Sequence, residues 1–190
     1  MSVASGERIL KSRAWGLALA VAGVASAAWG QAPPRAFPPP PPEIAALVLP
    51  DGEMAPVAAN PEAATFLETA SVVKTGDVVE LRTLEVYEPG AVTVWGPAVQ
   101  MVVRRSVDCA QRTMTEHGAV AYDRRGVAVV WLAPDAARPI VPNRLADFLA
   151  RMVCDGSPSP RPVVQGHAAA LAATREDIAA YRRARGLPEG

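Results

Sequence analysis

Between residues 71 and 132 the chain is a succession of short runs rich in Val, Thr and aromatic residues, at 72–73, 78–87, 91–95, 99–109, 112–116, 119–122 and 127–132. Thr75-Gly76-Asp77, Pro89-Gly90, Gly96-Pro97 and the stretch from Asp123 to Gly126 separate them, the punctuation expected between β-strands. Gaps this short hold no crossover helix, so the strands must pair mostly antiparallel. Asp123-Arg124-Arg125-Gly126 is the clearest hairpin, because Asp suits the first turn position and Gly supplies a residue with positive φ. The run 127–132 is apolar on both faces, which predicts a central strand covered on each side.

After Pro139-Ile140-Val141-Pro142 the period changes. Asn143 can cap a helix in which Leu145, Phe148, Leu149 and Met152 form one apolar stripe, ending at about Val153. A Pro/Ser linker follows, and 167–185 is an Ala-rich helix with Leu171, Ile178 and Tyr181 loosely on one side, stopped by Gly186-Leu187-Pro188. The fold class is therefore α+β: an antiparallel β-sheet packed with a helix, and a C-terminal helix outside the core. Asn60-Pro61-Glu62-Ala63 looks like a helix start. The packed domain is expected over 60–155, with an irregular stretch before it and the linker and C-terminal helix at 156–190.

The N-terminus has another purpose. Arg8, Lys11 and Arg13 form a basic region, 14–28 is an Ala/Val/Leu run, and small residues follow, the pattern of a secretory signal peptide over residues 1–30. The apolar run holds fifteen residues, short of the roughly twenty that a spanning helix needs, and no cysteine stands near the cleavage region to accept a lipid. Residues 31–59 begin with Pro33, Pro34 and five consecutive prolines from Pro38, so they are expected to be a Pro-rich, disordered segment starting in polyproline II. A periplasmic or extracellular destination follows, with no transmembrane anchor in the mature chain.

Cys109 and Cys154 are the two cysteines. In an exported chain an even pair without C-x-x-C spacing is most simply one disulfide. Free thiols and an intermolecular bridge are the alternatives.

The segment Val107-Asp108-Cys109-Ala110-Gln111-Arg112-Thr113, the hairpin through Tyr122 and Gly126, then Ile140-Val141-Pro142-Asn143-Arg144-Leu145-Ala146 and Val153-Cys154 together resemble the surface-adhesin protein E-like family of exported proteobacterial proteins. The resemblance covers about residues 70–155. It implies an antiparallel sheet packed with a helix and stapled by one disulfide, and it implies binding, since members of that family bind host matrix proteins and plasminogen at the cell surface.

Formal net charge is zero, which disfavours nucleic-acid binding through bulk positive charge. His117 and His167 are the two histidines, in no metal-ligand spacing, and a Cys109/His117 metal pair would need a cysteine left unoxidised. His117 is expected on the surface in a turn beside Gly118. No G-x-S-x-G is present, Ser106, Asp108 and His117 are scattered along the chain, and no motif asks for a cofactor. Trp95, Trp131, Tyr87 and Tyr122 lie in apolar strand runs, so burial is expected of all four.

Charge is the more informative pattern. Residues 43–103 carry nine acids and two bases, whereas 104–151 carry eight arginines and five acids. A sheet that interleaves the two stretches places Arg104, Arg105, Arg112, Arg124 and Arg125 near Glu80, Glu85 and Glu88. Cross-strand pairing is one outcome. The other is an arginine-rich face for an anionic or protein partner. The expected function is an exported, non-enzymatic binding module of the surface-adhesin E-like type, and its rival is a periplasmic structural or inhibitor-like envelope protein that binds a self component.

Overall fold

The computed structural model describes residues 39–88 and 96–188. The expected signal peptide, the start of the Pro-rich segment and the expected strand run 91–95 with its Trp95 lie outside the described residues. In chain order the elements are α1 (Pro42–Ala45), β1 (Glu53–Ala59), β2 (Ala63–Glu68), a 3-10 turn (Thr69–Ser71), β3 (Val73–Thr75), β4 (Val78–Tyr87), β5 (Gln100–Asp108), β6 (Thr113–Tyr122), β7 (Ala128–Leu132), β8 (Arg138–Pro139), α2 (Leu145–Val153), β9 (Val164–Gln165) and α3 (Gly166–Arg185). Among the described residues no helix is long and apolar enough to cross a membrane.

The strands form a single antiparallel sheet in the order β7-β6-β5-β4-β2-β1-β9, with β3 on β4 and β8 on β6 at the flanks. Side chains alternate across it, and both faces are buried over part of their area. On one face Phe66, Leu84, Val86, Val102 and Val120 pack with Ile44, Leu47 and Ala170, so the N-terminal segment and α3 cover it. On the other, Ala55, Leu67, Leu81 and Val107 pack under Leu149 and Ala150 of α2, and Met101, Val103, Ala119 and Ala121 form a separate cluster farther along. Gly118 stands at a bulge between β5 and β6 with φ of 122°. A Cβ there would overlap Ile44 Cδ1, so glycine lets α1 seat directly on the strand.

The disulfide between Cys109 and Cys154 joins the end of β5 to the C-cap of α2. The hairpin at Asp123 also forms as its chemistry dictates: Asp123 Oδ1 accepts the Arg125 and Val127 backbone N–H groups, and Gly126 has φ of 76°.

Several expectations are corrected. The run 127–132 is not central: among the described residues β7 is the terminal strand of the sheet, and it is exposed or half-buried along its length. The stretch before residue 60 is not irregular, because β1 pairs with β2 and carries the buried Met54, Ala55 and Val57. Asn60 caps a turn instead of a helix, its Oδ1 accepting the Glu62 and Ala63 N–H groups, and Ala63–Glu68 continues as β2. The α2 N-cap is Arg144, and Asn143 lies outside the helix with φ of 60° while its N–H donates to Asp147 Oδ2 at 3.0 Å. The C-terminal helix lies against the core, with Ala170, Thr174 and Ile178 buried.

Candidate functional site

The five arginines singled out in the sequence do not share one face. Arg104 and Arg105 are neighbours on β5, so the strand's period of two sends them to opposite sides. Arg105 is 2% exposed. Its guanidinium reaches Glu85 at 2.6 Å and Glu116 at 3.0 Å and donates to Thr83 Oγ1, with the two carboxylates offsetting the cost of burying a charge. Burial and the Glu85 carboxylate raise the Tyr87 hydroxyl pKa, and that hydroxyl donates to Glu85. Arg104 pairs with Glu80 at 2.8 Å in the open. The cross-strand pairing of Arg104 and Arg105 with Glu80 and Glu85 is thus realised.

Arg112 is taken up differently. It leaves the β5–β6 turn to reach Asp147 of α2 at 3.1 Å, and Arg151 reaches the same carboxylate at 2.6 Å. The Asn143 N–H first, then the two guanidiniums, hold the Asp147 carboxyl below its usual range against the opposing effect of desolvation. This is a clasp between helix and sheet.

Arg124 and Arg125 stand at the tip of the β6–β7 hairpin. The Val127 N–H chiefly, with Arg125 in support, holds the Asp123 carboxyl below its usual range, so the turn is set by an ionised aspartate. Arg125 folds back onto Asp123 at 3.2 Å although its side chain is 82% exposed. Arg124 has no carboxylate partner among the described residues. It faces Arg175 of α3, likewise without one, across a cleft of about 460 Å³ lined also by Tyr87, Val99 and Leu171. Among the described residues no carboxylate lines this cleft. Arg175 escaped the sequence reading because α3 was expected outside the core. Its place four residues after Leu171, on the same helical face, was the available signal.

The aromatic residues divide. Tyr122 is buried and donates to the Leu47 carbonyl, whereas Tyr87 and Trp131 are half-buried. His117 sits on β6 at the bulge and not in a turn, and its Nε2 lies 2.8 Å from Ser106 Oγ. The structure therefore brings together two residues that look scattered in the sequence. Asp108 accepts the Gln111 N–H in the β5–β6 turn, so the pair has no third group from that side chain.

A family model described as Surface-adhesin protein E matches residues 54–155. The match opens on β1 and closes one residue past Cys154. It includes Arg124, and Arg175 lies beyond it. No curated protein and no solved structure matches the chain.

Proposed function

Because this chain belongs to the surface-adhesin protein E family, we propose that it is an exported, non-enzymatic binding protein that engages an anionic partner through the hairpin end of its sheet. The observation that supports this reading is the cleft between Arg124 and Arg175. Arg104, Arg105 and Arg112 pair with carboxylates of the chain itself, while these two guanidiniums meet no carboxylate among the described residues and share a concavity with Tyr87 and Leu171. Guanidinium groups present planar, forked donors that match carboxylate, sulfate or phosphate oxygens two at a time. The Asp123 turn fixes the backbone position of one and helix α3 that of the other, so only the two side chains are left to be ordered on binding.

An acidic matrix protein or a sulfated polysaccharide offers the complementary charge. Binding of the purified chain to immobilised matrix proteins and to heparin, measured as salt is raised, tests the reading. Arg124→Glu combined with Arg175→Glu is expected to weaken binding at least tenfold, and the natural chain's affinity should fall as salt screens exposed charges over about 8 Å. Binding that ignores both the charge reversal and the salt would overturn it.

A further inference from the structure

The outer edge of β1 is covered over only part of its length. β9 pairs with Glu53 and Met54, and Ser159 Oγ donates to the Pro56 carbonyl at 2.7 Å. No strand among the described residues continues that pairing over 57–59, where Val57 is buried and Ala58 and Ala59 are half-buried. Here β1 lines the floor of a groove of about 660 Å³, with Arg144 and Phe148 at the start of α2 on one wall and Tyr181 and Arg185 at the end of α3 on the other. The two helices lie on opposite faces of the sheet, so they stand as jaws on either side of its edge.

Backbone direction follows from the hairpin. Asn60 N–H donates to the Ala63 carbonyl at 2.8 Å, and Ala59 is paired with Ala64 next along. In an antiparallel ladder bonded and non-bonded pairs alternate, so the N–H and C=O of Ala59 point away from β2 and into the groove. They have no hydrogen-bond partner among the described residues. An outward donor and acceptor at a strand edge are the template for adding another strand.

The walls say what kind of strand. Among the described residues neither Arg144 nor Arg185 has an ion-pair partner and no carboxylate lines the groove. Arg185 stacks over the Tyr181 ring at 5.7 Å, which steadies it without neutralising it. Phe148, Tyr181 and Leu145 supply apolar surface between the charges. We propose that this groove takes an extended, acidic peptide segment of a partner protein as an added strand along 57–59, its main chain bonding to Ala59 and its carboxylates meeting Arg144 and Arg185. Alternation fits the segment to the site, since successive side chains of an added strand point to opposite helical walls.

This site uses neither Arg124 nor Arg175, so its fate is separable from that of the cleft at the hairpin end. The probe is a blocked hexapeptide with two adjacent central glutamates flanked by valine and phenylalanine, so that neighbouring carboxylates reach opposite walls, titrated into the isotope-labelled full chain and followed by amide NMR and hydrogen exchange. The expected result is saturable binding with shifts at Val57 and Ala59, at least tenfold slower exchange of the Ala59 amide, and loss of both when alternate peptide nitrogens of the probe are methylated. Arg144→Glu with Arg185→Glu should abolish binding, and Arg124→Glu with Arg175→Glu should leave it within twofold. The N-methylated probe leaves the protein unaltered, so this arm holds even if a variant folds poorly. No binding at millimolar peptide, unchanged affinity after N-methylation, or perturbation that bypasses Val57 and Ala59 would overturn the proposal.

Discussion

Replacing both cysteines, Cys109→Ser with Cys154→Ser, removes the staple while leaving no odd thiol to form new bridges. The closed loop has a sequence separation of 45, and the chain-entropy relation for a loop of that length gives about 4 kcal/mol of lost stability at 25 °C. How far the melting temperature moves depends on how much else folds with it. A domain confined to 60–155 would shift by about 4–8 °C per kcal/mol. Because β1, β9 and α3 belong to the same sheet and core, the cooperative unit is larger, for which about 2–4 °C per kcal/mol applies. The expected drop is therefore about 8–16 °C by differential scanning calorimetry. The helix should stay docked in the variant, because Leu149 and Ala150 remain buried and Arg112 still reaches Asp147. Far-ultraviolet circular dichroism below the transition should be unchanged. A drop under about 4 °C, or labelling of both native cysteines by an alkylating agent without reductant, would refute the reasoning.

The neighbours on β5 should behave oppositely: Arg105→Met strands Glu85 and part of Glu116 against a buried face and is expected to cost about 3–5 kcal/mol in urea unfolding, whereas Arg104→Ala removes an exposed pair and should cost under about 1 kcal/mol. Asp147 has a lowered folded-state pKa, so its contribution is complete above the ordinary aspartate value of about 3.9 and is lost as pH falls through the lowered one. Asp147→Asn should therefore flatten the loss of stability between pH 5 and pH 2 in acid titrations followed by fluorescence. N-terminal sequencing of exported material is expected to begin between Ala27 and Gln31, and a chain that still starts at Met1 would refute the signal-peptide reading.

What the sequence revealed and what it hid follow one physical distinction. Local chemistry was legible: the Asp123 to Gly126 turn, the apolar stripe of α2 and the cysteine pair each declare themselves within a few residues. Non-local burial was not. β1 reads Glu-Met-Ala-Pro-Val-Ala-Ala, with little of the β-branched or aromatic content that marks strands, and it is a strand because β2 and α3 bury it. The α3 helix buries Ala170, Thr174 and Ile178, and the first two are small residues that allow close approach but give a weak periodic signal. β7 reads as a central strand because half-burial by a single neighbour already favours Val and Trp, and only the sheet order shows that its other edge is terminal. The same limit governed the arginines. Adjacency in sequence suggested one face for Arg104 and Arg105, and the strand period separated them. Arg124 was found from its hairpin, and its companion Arg175 became visible only once α3 had a place.

Surface display is what an adhesin cannot do without, so the most direct measurement is protease access to the domain on intact cells. Brief treatment of whole cells with a broad-specificity protease, followed by immunoblotting for the Cys109–Cys154 domain, should show it degraded while a periplasmic marker survives. A domain that stays intact until the outer membrane is permeabilised would contradict the adhesin account and leave an envelope protein that binds a component of its own cell.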